Sequence, residues 1–174
     1  MTLKNSTNYL KKIKVDAAFG KKKHFNAADR KQRYYTTINL TILIINGIIG
    51  ILLFVIISFG LNELRILPLV LAVAATILTG FQIQSNYSKT SEGHRNIGNR
   101  YLSIFKRSKK TEAYLDDGLM DKDSIIKSID ELTDEINTIN SDAEAFPTSK
   151  NDYDKSKKGI DEGEELYTED ELDL

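Results

Sequence analysis

Few residues in this chain of 174 belong to the types that carry out chemistry. It has no cysteine and two histidines, His24 and His94, which excludes thiol nucleophiles, disulfides and cysteine-based metal sites. Glu92 and His94 are two residues apart and do not share a helical face, so they are not a metal pair. We interpret both histidines as packing or interfacial side chains. Without a glycine-rich phosphate loop or a paired acid and base, we predict no enzyme activity, cofactor or metal.

Arginine is the residue type best placed here to bind a ligand. Two stretches are strongly basic, with a net charge of +8 over residues 1–37 and +6 over residues 85–110. Guanidinium groups suit bidentate phosphate contacts, so one interpretation is a site for a phosphate-bearing ligand. Its candidate residues are Arg30, Arg33, Arg95 and Arg100. The other interpretation is that these stretches only contact anionic lipid headgroups. Residues 111–174, with a net charge of −15, offer a competing anion.

Two long uncharged stretches must position these basic residues. The first, residues 38–59, has sixteen Ile, Leu, Val or Phe among its 22 residues, and the second, residues 66–84, is shorter and richer in Ala and Thr. Both are long enough to cross a bilayer as helices, and the first lacks the polar face that a soluble core helix would show. Joined by the short segment 60–65, they predict a transmembrane hairpin with an outer turn.

The basic flanks also predict the orientation of the hairpin. Short segments rich in Lys and Arg stay in the cytoplasm, and both outer flanks of the hairpin are basic. The 37 mostly polar residues before the first span do not fit a signal peptide, so we expect an uncleaved anchor. We therefore predict a multi-pass protein of the cell inner membrane with both termini in the cytoplasm.

Small and polar residues form a stripe on each predicted span. Asn39 and Asn46 lie ~20° apart around the first helix, and Gly50 lies ~40° beyond Asn46. On the second span, small residues recur at every fourth position, a spacing that lets helices approach closely in lipid. They are Ala72, Thr76 and Gly80. Two interpretations stay open: the stripes only close the hairpin or an oligomer interface, or Asn46, with Asn39 or Thr79, faces a water path in a ring of hairpins.

The N-terminal and post-hairpin segments are predicted to be helical. Within residues 1–37 we expect basic helices, interrupted at Gly20 and the lysines after it, with Asn26 as the cap of a second helix. Residues 85–110 should continue the second span as a half-apolar rod. Because the outer turn returns the chain to the same side, we expect this rod to pack against the basic helix that precedes the first span.

The last part of the chain holds one clearly amphipathic helix. Within residues 111–142, apolar residues follow a 4-3-4-3 spacing, and Asp121 or Asp123 is a candidate cap. We predict the seam of a coiled coil or bundle that meets a second copy or a partner. It consists of Ile125, Ile129, Leu132, Ile136 and Ile139. Residues 143–174 are acidic and expected to be partly disordered.

Several short sequence motifs lie beside the two predicted spans and near the C-terminal end of the chain. They are Phe25-Asn26-Ala27-Ala28-Asp29-Arg30, Arg33-Tyr34-Tyr35, His94-Arg95, Asn99-Arg100-Tyr101-Leu102, Asp142-Ala143-Glu144-Ala145-Phe146-Pro147 and Tyr153-Asp154-Lys155-Ser156-Lys157-Lys158-Gly159-Ile160. In this order around a hairpin, over roughly residues 20–162, they resemble the SLATT family of two-transmembrane bacterial effectors associated with second-messenger nucleotidyltransferases. The motifs are short and carry no catalytic meaning, so the resemblance depends mainly on architecture and order.

The resemblance implies an all-α membrane protein that acts as an oligomeric effector of anti-phage defence, forming a pore or depolarising the membrane. It implies gating by a partner protein or a cyclic nucleotide or oligonucleotide, made by a nucleotide cyclase-like enzyme encoded nearby. The expected partners are the lipid bilayer and further copies of the chain, with no DNA or RNA. The alternative is a passive anchor or scaffold that recruits a soluble partner through its cytoplasmic helices, and an accessory subunit of a transporter is a third hypothesis.

Overall fold

The chain folds into successive α-helices in the computed structural model, which describes residues 3–168 and residue 172. In order, the elements are α1 (Leu3–Phe59), a short 3-10 helix (Asn62–Arg65), α2 (Ile66–Ser85), α3 (Tyr87–Asp116), α4 (Lys122–Ala143) and α5 (Lys150–Asp161). The described residues contain no strand. The prediction of an all-α protein with two long apolar helices is confirmed.

These helices are divided between two compact units. The hairpin unit, Asp29–Ser91, contains the second half of α1, all of α2 and the start of α3. The bundle unit contains residues 3–28 and 92–168, which include the first half of α1, most of α3, and α4 and α5. Each unit is held together by its own internal contacts.

The first helix is continuous, and the expected interruption after Gly20 is wrong. A Cβ atom on Gly20 would lie 2.7 Å from the nearest ring carbon of Tyr101, so this glycine permits close packing between helices. Asn26 is not a helix cap, since its Nδ2 donates hydrogen bonds to the Asp152 carbonyl oxygen and to Ser156 Oγ, both at 3.1 Å. The glycine and the amide serve tertiary contacts, which a local pattern does not reveal.

The core of the bundle unit forms where three helices meet. α1 contributes Leu10, Ile13 and Ala17, and α3 contributes Ile97, Tyr101 and Ile104. α4 contributes the whole predicted seam: Ile125, Ile129, Leu132, Ile136 and Ile139. The amphipathic helix and its packing in a bundle are therefore as predicted, and so is the packing of the α3 rod against the N-terminal helix. The seam is covered by its own chain, however, and is not an exposed surface for a second copy or a partner.

Side-chain caps fix the starts of the last two helices. The Asp121 carboxylate accepts a hydrogen bond of 2.7 Å from the Ser124 backbone N–H, so the first of the two candidate caps is the one used. α5 begins with a capping box in which Ser149 and Asp152 bond each other's backbone N–H. A regular helix thus lies within the segment expected to be partly disordered. Residues 169–171 and 173–174 of that segment lie outside the described residues.

In the hairpin unit, α1 and α2 touch through a narrow contact. Ile56, Pro68 and Ala75 are buried, and Gln82 Nε2 donates a hydrogen bond of 2.8 Å to Asn39 Oδ1. The most apolar window of each helix is otherwise exposed, with 6% buried in the first and 11% in the second. Apolar helices of this length that are hardly covered by their own chain suit a bilayer and do not suit a soluble core.

A break in the helix separates the second span from the rod that follows it. Asn86 has a φ of 44° and a ψ of 42°, which is the left-handed conformation, and it separates α2 from α3. The expected uninterrupted helix from the second span into the rod is therefore wrong at this position. Asparagine tolerates this conformation better than most residues, and the Asn86 N–H still bonds the Gln82 carbonyl oxygen at 3.1 Å.

Candidate functional site

The predicted stripe on the first span divides into two different environments. Asn39 is half-buried and its Oδ1 accepts the hydrogen bond from Gln82, so this amide closes the hairpin. Asn46 is exposed, and among the described residues its side chain has no hydrogen-bond partner. A Cβ atom on Gly47 or Gly50 would meet no atom within 4 Å, so the backbone beside Asn46 is open.

On the second span, the hydroxyl groups of the stripe are satisfied within the helix. Thr76 Oγ1 donates to the Ala72 carbonyl oxygen and Thr79 Oγ1 to the Ala75 carbonyl oxygen, both at 2.8 Å. Gly80 is exposed, and a Cβ atom on it would meet nothing within 4 Å; the two threonines are also exposed. Ala72 is half-buried, so most of the small-residue stripe remains uncovered by the hairpin.

The four arginines predicted to bind a ligand are divided between the two units, two in each. Arg30 and Arg33 belong to the hairpin unit, and Arg95 and Arg100 belong to the bundle unit. Arg100 Nη1 donates a hydrogen bond of 2.6 Å to Asp142 Oδ2 on α4, so its guanidinium group is already engaged by a carboxylate. An arginine site for phosphate stays a prediction.

The two histidines of the chain meet in the bundle unit. His24 and His94 approach with 3.1 Å between their Nδ1 atoms, and both rings are buried. Tyr101 lies 5.8 Å from the His24 ring and Phe146 lies 5.8 Å from the His94 ring, measured between ring centroids. This aromatic surrounding agrees with a packing role. Among the described residues, no three His, Cys, Asp or Glu side chains lie close enough to hold a metal ion.

The electrostatic surroundings keep His24 neutral. The pKa of His24 is lowered from 6.5 to about 4, chiefly by burial and then by the nearby His94 and Lys23, against an opposing effect of Asp152. A neutral imidazole with one donor and one acceptor nitrogen can share a single hydrogen bond with a second ring. His24 is therefore neutral at ordinary pH where it contacts His94 between α1 and α3.

A cavity of about 570 Å³ in the bundle unit is lined by four lysines, and we call it the lysine pocket. Lys21 and Lys22 come from α1, and Lys155 and Lys158 come from α5. The remaining wall is formed by Phe25, Asn26, Leu102, Gly159, Glu162, Glu164 and Glu165. A concave surface with several convergent cations is suited to binding an anion.

The segment after α5 places two carboxylates in this pocket. Glu165 Oε2 accepts a hydrogen bond of 2.6 Å from Lys21 Nζ, and its other oxygen lies 3.8 Å from Lys22 Nζ. Glu164 forms an ion pair with Lys22. The acidic end of the chain thus contacts the basic stretch at these lysines, and its competition with a ligand stays a prediction.

Sequence reasoning missed the lysine pocket because its members are far apart in the chain. Lys21 and Glu165 are separated by 144 positions, and isolated lysines on helices are usually solvated. Two signals were present in the sequence. The triplet Lys21-Lys22-Lys23 belongs to the basic stretch, and Lys155 and Lys158 are three residues apart, which places them on one face of α5.

These observations define a class of protein: a membrane protein with two apolar helices long enough to span a bilayer, together with a helical bundle. The family model described as SMODS and SLOG-associating 2TM effector domain family 4 matches residues 8–171, and the chain belongs to this family, SLATT. The family is linked to SMODS-associated defence systems, so the chain has a general effector role. Neither a curated protein nor a solved structure is significantly similar to it.

Proposed function

We propose that this chain is an oligomeric effector of a bacterial anti-phage defence system that opens a conducting path through the inner membrane. In this proposal several hairpins assemble side by side, and a nucleotide second messenger or a partner protein triggers their opening. The second messenger comes from a nucleotide cyclase-like enzyme encoded beside the chain. The resulting loss of membrane potential stops growth of the infected cell.

The observation that carries the proposal is the exposed amide of Asn46 within an apolar span. An amide without a hydrogen-bond partner is unfavourable in hydrocarbon, so polar residues in spans usually face other helices or water. Gly47 and Gly50 beside it leave room for a second helix to approach. An assembly of hairpins gives Asn46 both a neighbour and a water path.

The proposed orientation has both termini in the cytoplasm. It is supported by the positive charge on both outer flanks of the hairpin, +8 over residues 1–37 and +6 over residues 85–110. The bundle unit then faces the cytoplasm, where a nucleotide or a partner protein is present. Such a trigger must bind the open and closed assemblies with different free energies.

The alternative, a passive anchor that recruits a partner through the α4 seam, is not favoured by the structure. Ile129 is 8% exposed and Leu132 is 1% exposed, because the seam packs against α1 and α3. A partner can reach these side chains only if the bundle opens. The membrane-active effector therefore remains the better proposal.

The test is a measurement of membrane potential in cells that express the chain with its genomic neighbours. A potential-sensitive dye should report depolarisation when the trigger is produced, and Asn46→Leu should weaken it without reducing membrane insertion. Thr41→Val is the matched control, because Thr41 lies ~140° around α1 from Asn46 and its Oγ1 donates a hydrogen bond to the Thr37 carbonyl oxygen of the same helix. Growth arrest with intact membrane potential would contradict the proposal.

A further inference from the structure

The lysine pocket combines a buried positive charge with open space. Lys21 is 7% exposed, and a buried ammonium group must be paired with an anion. Its Nζ lies 2.6 Å from Glu165 and 4.5 Å from the centre of the Phe105 ring. Lys155, on the opposite wall of the cavity, is exposed and makes no ion pair with another described residue. A third carboxylate, Glu162, lies 3.7 Å from Lys158, so four lysines line the pocket with three carboxylates and one positive charge is left over.

The segment that fills the pocket is held by charge and hardly by apolar contact. Glu164 and Glu165 bind the lysines, whereas Leu166 is 76% exposed and Tyr167 is 71% exposed. The Tyr167 ring only approaches Lys109, with 5.8 Å from Nζ to the ring centre. The ion pair between Lys22 and the exposed Glu164 contributes little stability and is screened by salt. The buried Lys21 needs an anion beside it, but not this particular carboxylate, so another anion can replace the segment.

We propose that the lysine pocket binds a phosphate-bearing anion and that Glu164 and Glu165 occupy it as a removable stand-in. Ammonium groups bind phosphate as compact point charges, and several can surround one phosphate group. A diphosphate carries more charge and more acceptor oxygens than a single carboxylate. It can therefore meet Lys22 and Lys155 together, which the two glutamates do not.

This inference deepens the proposed function by naming the site of its trigger, and in that sense rests on it. Binding of the anion frees the segment after α5, and that release is the change in the bundle unit that accompanies activation. Two sources supply the same chemistry, a soluble phosphate compound and the headgroup of an anionic lipid. The experiment distinguishes them by its two arms.

The experiment uses the full chain in nanodiscs. Because the chain has no cysteine, Tyr167→Cys provides a single position for a spin label. One arm adds inorganic pyrophosphate to nanodiscs of phosphatidylcholine, and the other replaces half of the lipid with phosphatidylglycerol. Label mobility reports release of the segment, and calorimetry on the unlabelled chain measures pyrophosphate affinity.

Paired charge removals test the two sides of the contact. Glu164→Gln with Glu165→Gln should free the label without any ligand and raise pyrophosphate affinity roughly fivefold or more, since the site is no longer occupied. The matched control is Asp116→Asn with Asp117→Asn, which removes two exposed carboxylates outside the pocket.

On the other side, Lys155→Gln with Lys158→Gln should weaken pyrophosphate binding about tenfold or more. Both lysines are exposed on α5, so the substitutions should not prevent folding. Lys11→Gln with Lys12→Gln, on the exposed face of α1, is the control and should leave binding unchanged.

If pyrophosphate releases the labelled segment in neutral lipid, the proposal is supported and the ligand is a soluble phosphate compound. If only phosphatidylglycerol releases the segment, the proposal is supported and the ligand is a lipid headgroup. The proposal is overturned if the label stays immobile in both arms. It is also overturned if the Lys155 and Lys158 substitutions leave pyrophosphate affinity unchanged. Depolarisation in cells with no binding would reject this site alone. Binding and release with an intact membrane potential would reject the proposed function and leave the site standing.

Discussion

Gln82 donates a hydrogen bond of 2.8 Å from Nε2 to Asn39 Oδ1 and thereby connects α2 to α1 within the hairpin unit. Neither residue alone identifies this contact in the sequence, where Asn39 and Asn46 belong to one stripe. The two asparagines lie on nearly the same side of one helix, yet one is satisfied within the chain and the other is exposed. The same residue type therefore has two separate roles along one stripe.

Gln82→Leu should destabilise the hairpin by about 0.6 kcal/mol and at most ~1.7 kcal/mol, the range found for hydrogen bonds between membrane helices. A double-mutant cycle with Asn39→Leu, followed by unfolding in mixed micelles, measures this interaction energy. Gln84→Leu is the matched control, because Gln84 is exposed and makes no hydrogen bond with a described side chain. Equal effects at positions 82 and 84 would contradict the assignment.

Ile129→Ala should destabilise the bundle unit by ~2–5 kcal/mol, because Ile129 is buried in the core shared by α1, α3 and α4. Ile126→Ala, three residues earlier and 48% exposed, should change stability by less than about 0.5 kcal/mol. Chemical unfolding of the full chain in detergent, followed by circular dichroism, compares the two variants. If Ile129→Ala alters oligomeric state but not unfolding, the seam is an interface between chains after all.

Gly93→Ala should destabilise the contact between α3 and the turn after α4. A Cβ atom on Gly93 would overlap the Phe146 ring, and overpacking of this kind typically costs ~1–3 kcal/mol. Phe146→Leu in the same chain should restore part of the loss by removing the ring. Gly47→Ala is the control, since a Cβ there meets no atom within 4 Å. A tolerated Gly93→Ala with normal unfolding would show that the ring moves freely.

Stability of the bundle unit should depend on pH through His24. Its pKa is about 4 in the folded chain and 6.5 in the unfolded chain, so between these values the unfolded chain binds more protons. The contribution of His24 to the free energy of unfolding should therefore be constant above about pH 6.5. It should fall as the pH decreases toward 4, by at most ~3 kcal/mol. Unfolding midpoints between pH 7 and pH 4 measure the slope.

His24→Gln should flatten that slope, because the substituted side chain does not titrate. His94, Lys23 and Asp152, the charged or titratable neighbours of His24, are unchanged in this variant. An unchanged slope in this variant would assign the effect to another group.

Much of the fold follows from periodicity and charge along the sequence. The uncharged run of 22 residues predicted the first span, and the 4-3-4-3 spacing of Ile125 to Ile139 predicted an amphipathic helix whose face is buried. Both signals are local and strong, because a helix must bury its apolar side. The cap at Asp121 was also accessible, since the residue type and its position before a periodic run are sufficient.

The missed features depend on what lies opposite a residue. Gly20 was expected to end a helix, but the Tyr101 ring packed against it explains the absence of a side chain. The seam of α4 is covered by Leu10, Ile13 and Ala17 of α1, which precede Ile125 by more than a hundred residues. The sequence does not say whether such a seam packs against its own chain or another. The lysine pocket was hidden for the same reason.

The left-handed residue Asn86 has a consequence for the bilayer in which the protein resides. It ends α2 at Ser85 after 20 residues, a rise of ~30 Å, so this helix fits an average hydrocarbon layer with little tilt. The longer apolar run of α1, at ~33 Å, fits the same layer only if that helix tilts. Hydrophobic mismatch is thus unequal for the two helices, and thicker membranes should strain α2 before they strain α1.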